Sequence, residues 1–155
     1  LCFFLFSLVW LLLSLLRGSI PFVTTLSKYI SIPLEFDYMK ASSYHGGTSS
    51  TGNVAITVLP ASKLEGRHVI IVEDIVDTGF TLSTVVKILK SYNPASIEIA
   101  SLLDKPSMRK VDDLKLKYVG FVVPAEFVVG YGLDYNEMYR NLPYVGVLKP
   151  EVYSK

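Results

Sequence analysis

Apolar and polar segments alternate along the chain in a pattern that predicts strands and helices in turn. The run Val69-Ile70-Ile71-Val72 is uninterrupted and β-branched, which is typical of a strand buried on both faces of a parallel sheet. After a short polar stretch, apolar residues recur at the spacing of one helix face, at Leu82, Val85, Val86 and Leu89. A buried strand followed at once by an amphipathic helix favours an α/β fold.

The rest of the chain repeats this arrangement. Further apolar segments predict strands at residues 34–39, 54–59, 97–103, 118–123 and 144–148. A helix is expected at residues 20–30, with Pro21 in its first turn, where proline is tolerated. Residues 42–52 and most of residues 127–142 have the composition of loops. We therefore predict one domain with a mainly parallel, twisted sheet flanked by helices.

Composition limits the partners to consider. The chain has 155 residues, 50% of them hydrophobic, with 15 basic and 14 acidic side chains, which is enough for a single core. A net charge of +1 gives no electrostatic reason to expect nucleic acid or an anionic membrane surface as a partner. The single cysteine, Cys2, excludes an intramolecular disulfide, and no Cys and His residues have the spacing of a zinc site.

Three carboxylates follow the apolar run, at the edge where open α/β sheets bind ligands. Glu73 and Asp74 are adjacent and suit the two neighbouring hydroxyls of a ribose, and Asp77 follows three residues later. Three acids beside a phosphate would repel it unless a cation or the sugar hydroxyls intervene. A sugar phosphate with a divalent metal would satisfy every group. The alternative is that the acids only cap the following helix.

The turn after the acids has the residues that phosphate binding requires. The free N–H groups and the positive end of the following helix favour an anion. Gly79 allows its backbone to approach the anion closely, and the hydroxyls of Thr78 and Thr81 can donate to it. A Thr-Gly pair is also common in ordinary turns, so the turn alone does not decide the function.

Four other segments carry recognisable motifs, two before this turn and two after it. They are Leu16-Arg17-Gly18-Ser19, Ser42-Ser43-Tyr44 with Gly46-Gly47-Thr48-Ser49-Ser50-Thr51-Gly52, Leu102-Leu103-Asp104-Lys105, and Phe127-Val128-Val129-Gly130-Tyr131-Gly132-Leu133-Asp134-Tyr135 with Arg140-Asn141-Leu142-Pro143. With Glu73-Asp74-Ile75-Val76-Asp77-Thr78-Gly79-Phe80-Thr81, these segments resemble the type I phosphoribosyltransferases, and more narrowly the hypoxanthine-guanine phosphoribosyltransferases of purine salvage. The likeness covers residues 16–153. The acidic segment alone indicates only the superfamily, and the last two segments point to 6-oxopurines.

This resemblance implies the type I phosphoribosyltransferase fold, with a small hood and a mobile active-site loop. It implies an enzyme that transfers the 5-phosphoribosyl group from phosphoribosyl pyrophosphate to hypoxanthine or guanine. The products would be IMP or GMP and pyrophosphate. Mg²⁺ is the implied cofactor, and a homodimer or homotetramer located in the cytoplasm is expected.

The resemblance also assigns roles on the sugar-phosphate side. Asp77 would be the general base or proton acceptor at purine N7, and Glu73 and Asp74 would hold the ribose hydroxyls. The 5′-phosphate would be bound by Asp77, Thr78, Gly79, Phe80 and Thr81. The pyrophosphate would be bound by Arg17, Gly18 and Arg140. Phe80 stands where relatives often carry Lys or an aliphatic residue, and backbone N–H groups make this departure tolerable.

On the purine side, the resemblance assigns Lys105 as the donor to the 6-oxo group, an acceptor that adenine lacks. Phe127 would stack on the purine ring. Val128 would meet the base through its backbone, and Asp134 belongs to the same purine-binding segment.

Two further roles follow from the resemblance. Mg²⁺ would be bound by the carboxylates of Glu73, Asp74 and Asp134, together with phosphate oxygens and water. Ser43 and Tyr44 would head the loop that closes over the reacting sugar and excludes water.

The first 16 residues carry no charge. They are short of the roughly 20 apolar residues that a membrane-spanning helix needs, and they lack the basic start and cleavage site of a signal peptide. Because the chain begins with Leu rather than Met, we expect a fragment or an incomplete gene model. We expect residues 9–16 to replace the family's first core strand and residues 17–155 to form the phosphoribosyltransferase domain. A membrane anchor is the alternative, and residues 1–8 have no assigned role.

Three other functions stay open at this stage. The acceptor could be xanthine or adenine; Lys105 argues against adenine, and nothing in the sequence ranks xanthine against hypoxanthine and guanine. The chain could instead bind phosphoribosyl pyrophosphate as a regulator, although it has no room or basic patch for a DNA-binding domain. It could also be an inactive fragment, because a resemblance in fold does not establish activity.

Overall fold

In the computed structural model, residues 9–43 and 54–153 are described. The elements in chain order are β1 (Trp10–Leu15), α1 (Ile20–Ser27), β2 (Leu34–Ser43), β3 (Val54–Val58), β4 (His68–Val76), α2 (Phe80–Lys90), β5 (Ser96–Asp104), a 3₁₀ turn (Pro106–Met108), β6 (Tyr118–Val122), β7 (Val128–Val129), β8 (Gly146–Val147) and α3 (Pro150–Tyr153). No helix in these two ranges is long and apolar enough to cross a membrane.

The main sheet of the described residues has the strand order β3-β2-β1-β4-β5-β6. All neighbouring strands are parallel except β2 and β3, which are antiparallel. Strands β7 and β8 form a separate antiparallel pair. This arrangement confirms the expected α/β fold with a mainly parallel sheet.

Strand β1 lies in the interior of the sheet, between β2 on one side and β4 on the other. The chain leaves β1 to form β2 and later returns to the opposite side of β1 to form β4. The order of the strands therefore reverses between β1 and β4. Open α/β sheets bind ligands in the crevice at the carboxyl ends of the strands at such a switch point. The carboxyl ends of these two strands are followed by residues 16–19 and 77–79.

The side chains of β1 alternate between two cores. Leu11, Leu13 and Leu15 face a cluster that includes Val85 and Leu89 of α2. Leu12 faces the other side, with Val23 of α1 and Val72 of β4. Because both faces are covered by helices, a continuous apolar run suits this strand better than alternation.

Several element boundaries differ from those expected from the sequence. Helix α1 ends at Ser27 rather than at residue 30, because the chain continues in turns in which the N–H groups of Tyr29 and Ile30 bond to carbonyls three residues back. Strand β2 continues to Ser43, because its last residues pair with β3. The short helix α3 was not expected.

Strand β4 also extends further than expected, to Val76. Its acidic residues stay in the sheet because β5 continues beside them, with Glu73 paired to Ser101 and Ile75 to Leu103. The acid pair therefore lies within the paired part of β4, and only Asp77 lies in the turn.

Candidate active site

The turn after β1, residues 16–19, lies directly against the acidic end of β4. A Cβ atom added to Gly18 would lie 1.5 Å from Oδ2 of Asp74, so only glycine fits beside this carboxylate. The peptide bond between Leu16 and Arg17 is cis. The backbone of the predicted pyrophosphate turn is thus in contact with the predicted ribose site.

Glu73 and Asp74 form an adjacent acid pair at the end of β4. The N–H of Asp74 donates to Oε1 of Glu73 at 3.2 Å, and the N–H of Ile75 donates to Oδ1 of Asp74 at 2.8 Å. Burial raises the pKa of Glu73 well above its usual range, and the negative charge of Asp74 raises it further. A pair with this electrostatic strain suits partners that donate hydrogen bonds or carry positive charge.

The turn between β4 and α2 forms one wall of a cavity of about 300 Å³. The cavity is lined by Glu73, Ile75, Val76, Asp77, Thr78, Gly79, Thr81 and Leu82. Phe80 is the first residue of α2 and lies beside this lining. The cavity is therefore open to the positive end of α2, which favours an anion there.

Gly79 is required at this turn for two reasons. Its φ angle is +82°, in the left-handed region that side chains rarely adopt, and an added Cβ would lie 2.5 Å from Cγ2 of Val111. Its carbonyl accepts the N–H of Ser83 at 2.9 Å and so begins the hydrogen bonding of α2. Any larger residue would displace the turn.

Lys105 and Asp77 form an ion pair across the carboxyl ends of β5 and β4. Nζ of Lys105 lies 3.4 Å from Oδ1 of Asp77, and the two side chains are 9% and 49% exposed. The N–H of Lys105 donates to the carbonyl of Val76 at 3.0 Å. The structure thus brings the residue assigned to the purine 6-oxo group beside the residue assigned to purine N7.

A second connection behind this pair was not found from the sequence. Arg109 pairs with Asp104 at the end of β5, and the N–H of Lys110 donates to the carbonyl of Thr78 at 3.0 Å. Together these contacts join the segment after β5 to the turn between β4 and α2, the predicted phosphate turn. An aspartate that ends a strand shortly before an arginine was the available signal, but it is too common to be specific.

The C-terminal loop brings two arginines and two acids together. Nη2 of Arg140 lies 2.8 Å from Oδ1 of Asp134. Oε2 of Glu137 lies 2.7 Å from Nη1 of Arg17 and 3.3 Å from Nη2 of Arg140. Both arginines assigned to pyrophosphate therefore share one carboxylate oxygen. Glu137 was not expected from the sequence, because most of the chain separates it from Arg17.

Desolvation and the two neighbouring arginines have opposite effects on the pKa of Glu137. Desolvation alone would raise the pKa of Glu137, but the positive charges of Arg140 and Arg17 outweigh it and hold the pKa below its usual range. Glu137 is therefore ionised at neutral pH and acts as an anion between the arginines.

The same loop also contacts the turn after β1 through its backbone. Gly132 has a φ angle of +100°, and an added Cβ would lie 1.9 Å from the carbonyl oxygen of Gly18. The hydroxyl of Tyr131 lies 2.6 Å from Oγ1 of Thr25 in α1. The C-terminal loop is thus fixed against both the turn and the helix that follows it.

Phe127 and Val128 belong to the segment that forms the small sheet. Val128 pairs with Val147 in β7 and β8. Phe127 is 37% exposed. Its ring stacks on Tyr153 at 5.3 Å between centroids and meets Tyr135 edge-on at 5.6 Å. Phe127 therefore has aromatic partners of its own chain on one face and at one edge.

The described residues do not place the predicted metal ligands in one set. Within residues 9–43 and 54–153, no three Asp, Glu, His or Cys side chains are close enough together to hold a metal ion. Asp134 lies in the C-terminal loop, where it pairs with Arg140, and it is separate from the acid pair of β4.

The residues assigned to the closing loop are only partly covered by the structure. Ser43 ends β2, where its backbone pairs with Val54 of β3. Tyr44 and the remainder of the predicted loop to residue 52 lie outside the described residues.

Comparison with known proteins agrees with this geometry. Residues 9–136 match the family model of the phosphoribosyl transferase domain. A curated hypoxanthine-guanine phosphoribosyltransferase from Staphylococcus epidermidis is 54% identical over 141 residues, which are 91% of this chain and 78% of that protein. The chain belongs to the type I phosphoribosyltransferases, of the hypoxanthine-guanine kind.

Other members of this family are also similar to this chain. A curated hypoxanthine-guanine phosphoribosyltransferase from Staphylococcus aureus is 54% identical over 140 residues, 90% of this chain and 78% of that protein. A crystal structure of a hypoxanthine phosphoribosyltransferase from Staphylococcus aureus has a TM-score of 0.90 at 52% identity and covers 95% of this chain and 79% of that one. A ternary substrate complex of the Trypanosoma cruzi hypoxanthine phosphoribosyltransferase has a TM-score of 0.87 at 40% identity, with 94% and 79% covered.

Proposed function

We propose that the chain transfers the 5-phosphoribosyl group from phosphoribosyl pyrophosphate to hypoxanthine or guanine, with release of pyrophosphate. The observation that carries this proposal is the ion pair of Lys105 and Asp77 beside the phosphate turn. The pair would offer a donor to a 6-oxo group and an acceptor for a purine proton at the sheet edge where the sugar phosphate would bind. The family relationship supports the same reaction.

The reaction forms a bond from a purine nitrogen to the anomeric carbon of the ribose and breaks the bond from that carbon to pyrophosphate. Positive charge develops on the ribose ring, as in glycoside cleavage. The purine gives up one proton, and Asp77 would accept it at N7. Because the side chain of Asp77 is half-exposed and lies in the turn, it can reach a base that enters from the solvent side.

Lys105 would select the base. Its ammonium group is held near Asp77 and is largely buried, so it can donate to a 6-oxo group in a dry environment. Adenine offers an amino group at that position, and its donor would face the ammonium donor. Adenine would therefore be rejected, because the buried ammonium group of Lys105 would have no acceptor on the base.

The leaving pyrophosphate would lie against the turn of Arg17 and Gly18 and the guanidinium group of Arg140. Arginine suits phosphate because its planar fork can form two parallel hydrogen bonds. In the structure, Glu137 already pairs with both arginines, so binding of pyrophosphate would require this carboxylate to move away.

Mg²⁺ fits the acid pair of β4. Burial and the negative charge of Asp74 raise the pKa of Glu73, and a cation would relieve the repulsion between the two carboxylates. Mg²⁺ binds through one or two carboxylates together with phosphate oxygens and water. Glu73 and Asp74 would hold one ion, and Asp134 would contribute separately. The metal would neutralise charge on the departing pyrophosphate.

The remaining assignments belong to the same proposal. Residues 9–16 would serve as the first core strand of the catalytic domain, and Ser43 and Tyr44 would head a loop that closes over the sugar. Phe127 and Val128 would contact the purine. The enzyme would act in the cytoplasm as a homodimer or homotetramer.

Nucleotide formation by the purified chain tests the proposal directly. Phosphoribosyl pyrophosphate is mixed with hypoxanthine, guanine, xanthine or adenine, with and without Mg²⁺, and the products are separated by chromatography. We expect Mg²⁺-dependent IMP and GMP and no AMP. Binding of phosphoribosyl pyrophosphate without any product would instead favour a regulator or an inactive chain, and AMP formation would contradict the role of Lys105.

A further inference from the structure

Two serine side chains are buried at the base of the turn that follows β1. Ser14 lies within β1 and Ser19 lies directly before α1, and both are 0% exposed. Their hydroxyl oxygens are 2.6 Å apart. A buried hydroxyl without a hydrogen-bond partner lowers stability. The hydrogen bond between Ser14 and Ser19 gives each hydroxyl a partner.

The direction of this hydrogen bond follows from the count of protons. The hydroxyl of Ser19 also donates to the carbonyl of Leu15. A serine hydroxyl has one proton, so Ser14 must be the donor to Ser19. The chain of hydrogen bonds runs from Ser14 to Ser19 to the carbonyl of Leu15. It joins the two ends of residues 16–18.

Ser19 gives up its ordinary role to make these contacts. A serine at the N-cap of a helix usually accepts a hydrogen bond from an N–H group of the first turn. Ser19 is the N-cap of α1, yet its side chain makes no such bond. Ser19 departs from the usual N-cap hydrogen bond without benefit to the helix, which indicates that its hydroxyl has another role.

The turn that this pair closes has little freedom to shift. On one side, an added Cβ at Gly18 would lie 1.5 Å from Asp74, and on the other, an added Cβ at Gly132 would lie 1.9 Å from the carbonyl oxygen of Gly18. The backbone of the turn is therefore held between the acid pair and the C-terminal loop. A small change at its base would move Gly18 relative to both.

We propose that Ser14 and Ser19 are positioning residues that hold the turn of Arg17 and Gly18 in the conformation that binds the pyrophosphate group. This inference rests on the proposed function, which places pyrophosphate at that turn. Neither serine needs to touch the substrate, since both side chains are fully buried. Their effect is specific to the pyrophosphate end of the substrate and leaves the purine end unchanged.

The test compares Ser14→Ala, Ser19→Ala and the double variant with Ser101→Ala. Ser101 is a matched control, because it is 1% exposed and its hydroxyl donates to a backbone carbonyl, that of Leu103, at 2.6 Å. For each protein we would measure the KM for phosphoribosyl pyrophosphate, inhibition by pyrophosphate, the KM for hypoxanthine and the melting temperature.

For Ser14→Ala and Ser19→Ala, we expect the KM for phosphoribosyl pyrophosphate and the inhibition constant of pyrophosphate to rise together, by about threefold to tenfold. The KM for hypoxanthine should not change. The double variant should not exceed the effect of Ser19→Ala by much, because Ser19→Ala alone already removes both hydrogen bonds of this chain. Ser101→Ala should lower the melting temperature while leaving both KM values as they are.

A lower melting temperature with unchanged constants for pyrophosphate would overturn the positioning role and make the pair purely structural. If Ser19→Ala does not fold, Ser14→Ala decides, because it keeps the hydrogen bond of Ser19 to Leu15. If the unchanged chain forms no nucleotide, the proposed function fails. In that case, calorimetric titration with pyrophosphate tests the positioning role separately. Equal affinities of the unchanged chain and the serine variants for pyrophosphate, or no binding by any of them, would overturn the inference.

Discussion

Gly18 and Asp74 are in such close contact that a single additional carbon atom does not fit between them. A Cβ at Gly18 would lie 1.5 Å from Oδ2 of Asp74. We expect Gly18→Ala to lower kcat/KM for phosphoribosyl pyrophosphate by about a hundredfold or more, because the turn and the acid must move apart. Gly146→Ala is the control, since its Cβ would meet only the ring of Tyr144 at 3.6 Å. Equal losses in the two variants would mean that the contact has no special role.

The side chain of Asp77 is expected to act in proton transfer, whereas its backbone would help to bind the sugar phosphate. Asp77→Asn should therefore lower kcat by about a hundredfold or more, while binding of phosphoribosyl pyrophosphate stays largely intact, because backbone N–H groups can still bind the phosphate. Steady-state kinetics and direct titration separate the two effects. The exposed Asp112 provides the matched control Asp112→Asn. Unchanged turnover in Asp77→Asn would remove this residue from the base role.

Lys105 is expected to discriminate between 6-oxopurines and adenine. Lys105→Gln should raise the KM for hypoxanthine by about tenfold to a hundredfold, because a hydrogen bond from a charged donor is lost. The KM for phosphoribosyl pyrophosphate should change much less. Lys87→Gln, at an exposed position of α2, should change neither value. A variant that still prefers hypoxanthine to adenine to the original extent would show that another group reads the base.

Asp37 should make stability depend on acid pH. Burial alone would raise the pKa of Asp37, but the N–H groups of Ser62 and Tyr38, at 2.6 and 2.7 Å, and the hydroxyl of Ser62 outweigh it and lower the pKa. The folded state thus binds this proton less readily than the unfolded chain, in which the pKa is about 3.9. The carboxylate stabilises the fold above that pH, and the contribution is lost as the pH falls through the lower folded value.

Urea unfolding at pH 6 and pH 3 measures this effect. The difference in free energy of unfolding between the unchanged chain and Asp37→Asn should be larger at pH 6. Other acids also titrate in this range, so only the difference between the two proteins is informative. A difference that stays constant with pH would show that Asp37 does not contribute through its charge.

The interior position of β1 predicts a large loss of stability on truncation. Leu13 is 0% exposed and belongs to the cluster shared with α2. Leu13→Ala should lower the free energy of unfolding by about 2–5 kcal/mol, as is typical when a buried leucine is replaced by alanine. Tyr29→Ala, at a side chain that is 84% exposed, should have little effect. Similar small losses in both would contradict the central place of β1.

The sheet was predictable because the chain marks its buried strands with continuous apolar runs. Leu11 to Leu13 are fully buried, and a segment without charge at that place could only be stable in a core or a membrane. The length of β4 was not predictable in the same way. Its acids interrupt the apolar run, and only the partner strand β5, which is distant in sequence, keeps Glu73 in the sheet.

Two kinds of site residue could be predicted from the sequence: residues that lie close together along the chain, and residues in segments that resemble a known family. The acids and the phosphate turn lie within a few residues of one another, so their chemistry is visible in the sequence. The ion pairs of Glu137 with Arg17 and of Asp77 with Lys105 join distant segments. No periodicity or spacing indicates them, since charged residues on loops have many possible partners and the fold selects among them.

The shared oxygen of Glu137 has a consequence for how an anion would bind between Arg17 and Arg140. Because the guanidinium groups of Arg17 and Arg140 already pair with the carboxylate of Glu137, a polyanion that binds there as proposed would have to replace this carboxylate. Binding at this point is an exchange of one anion for another. Such an exchange would neutralise little additional positive charge. The affinity of the two arginines for the new anion would therefore depend on how well it fits their planar guanidinium groups.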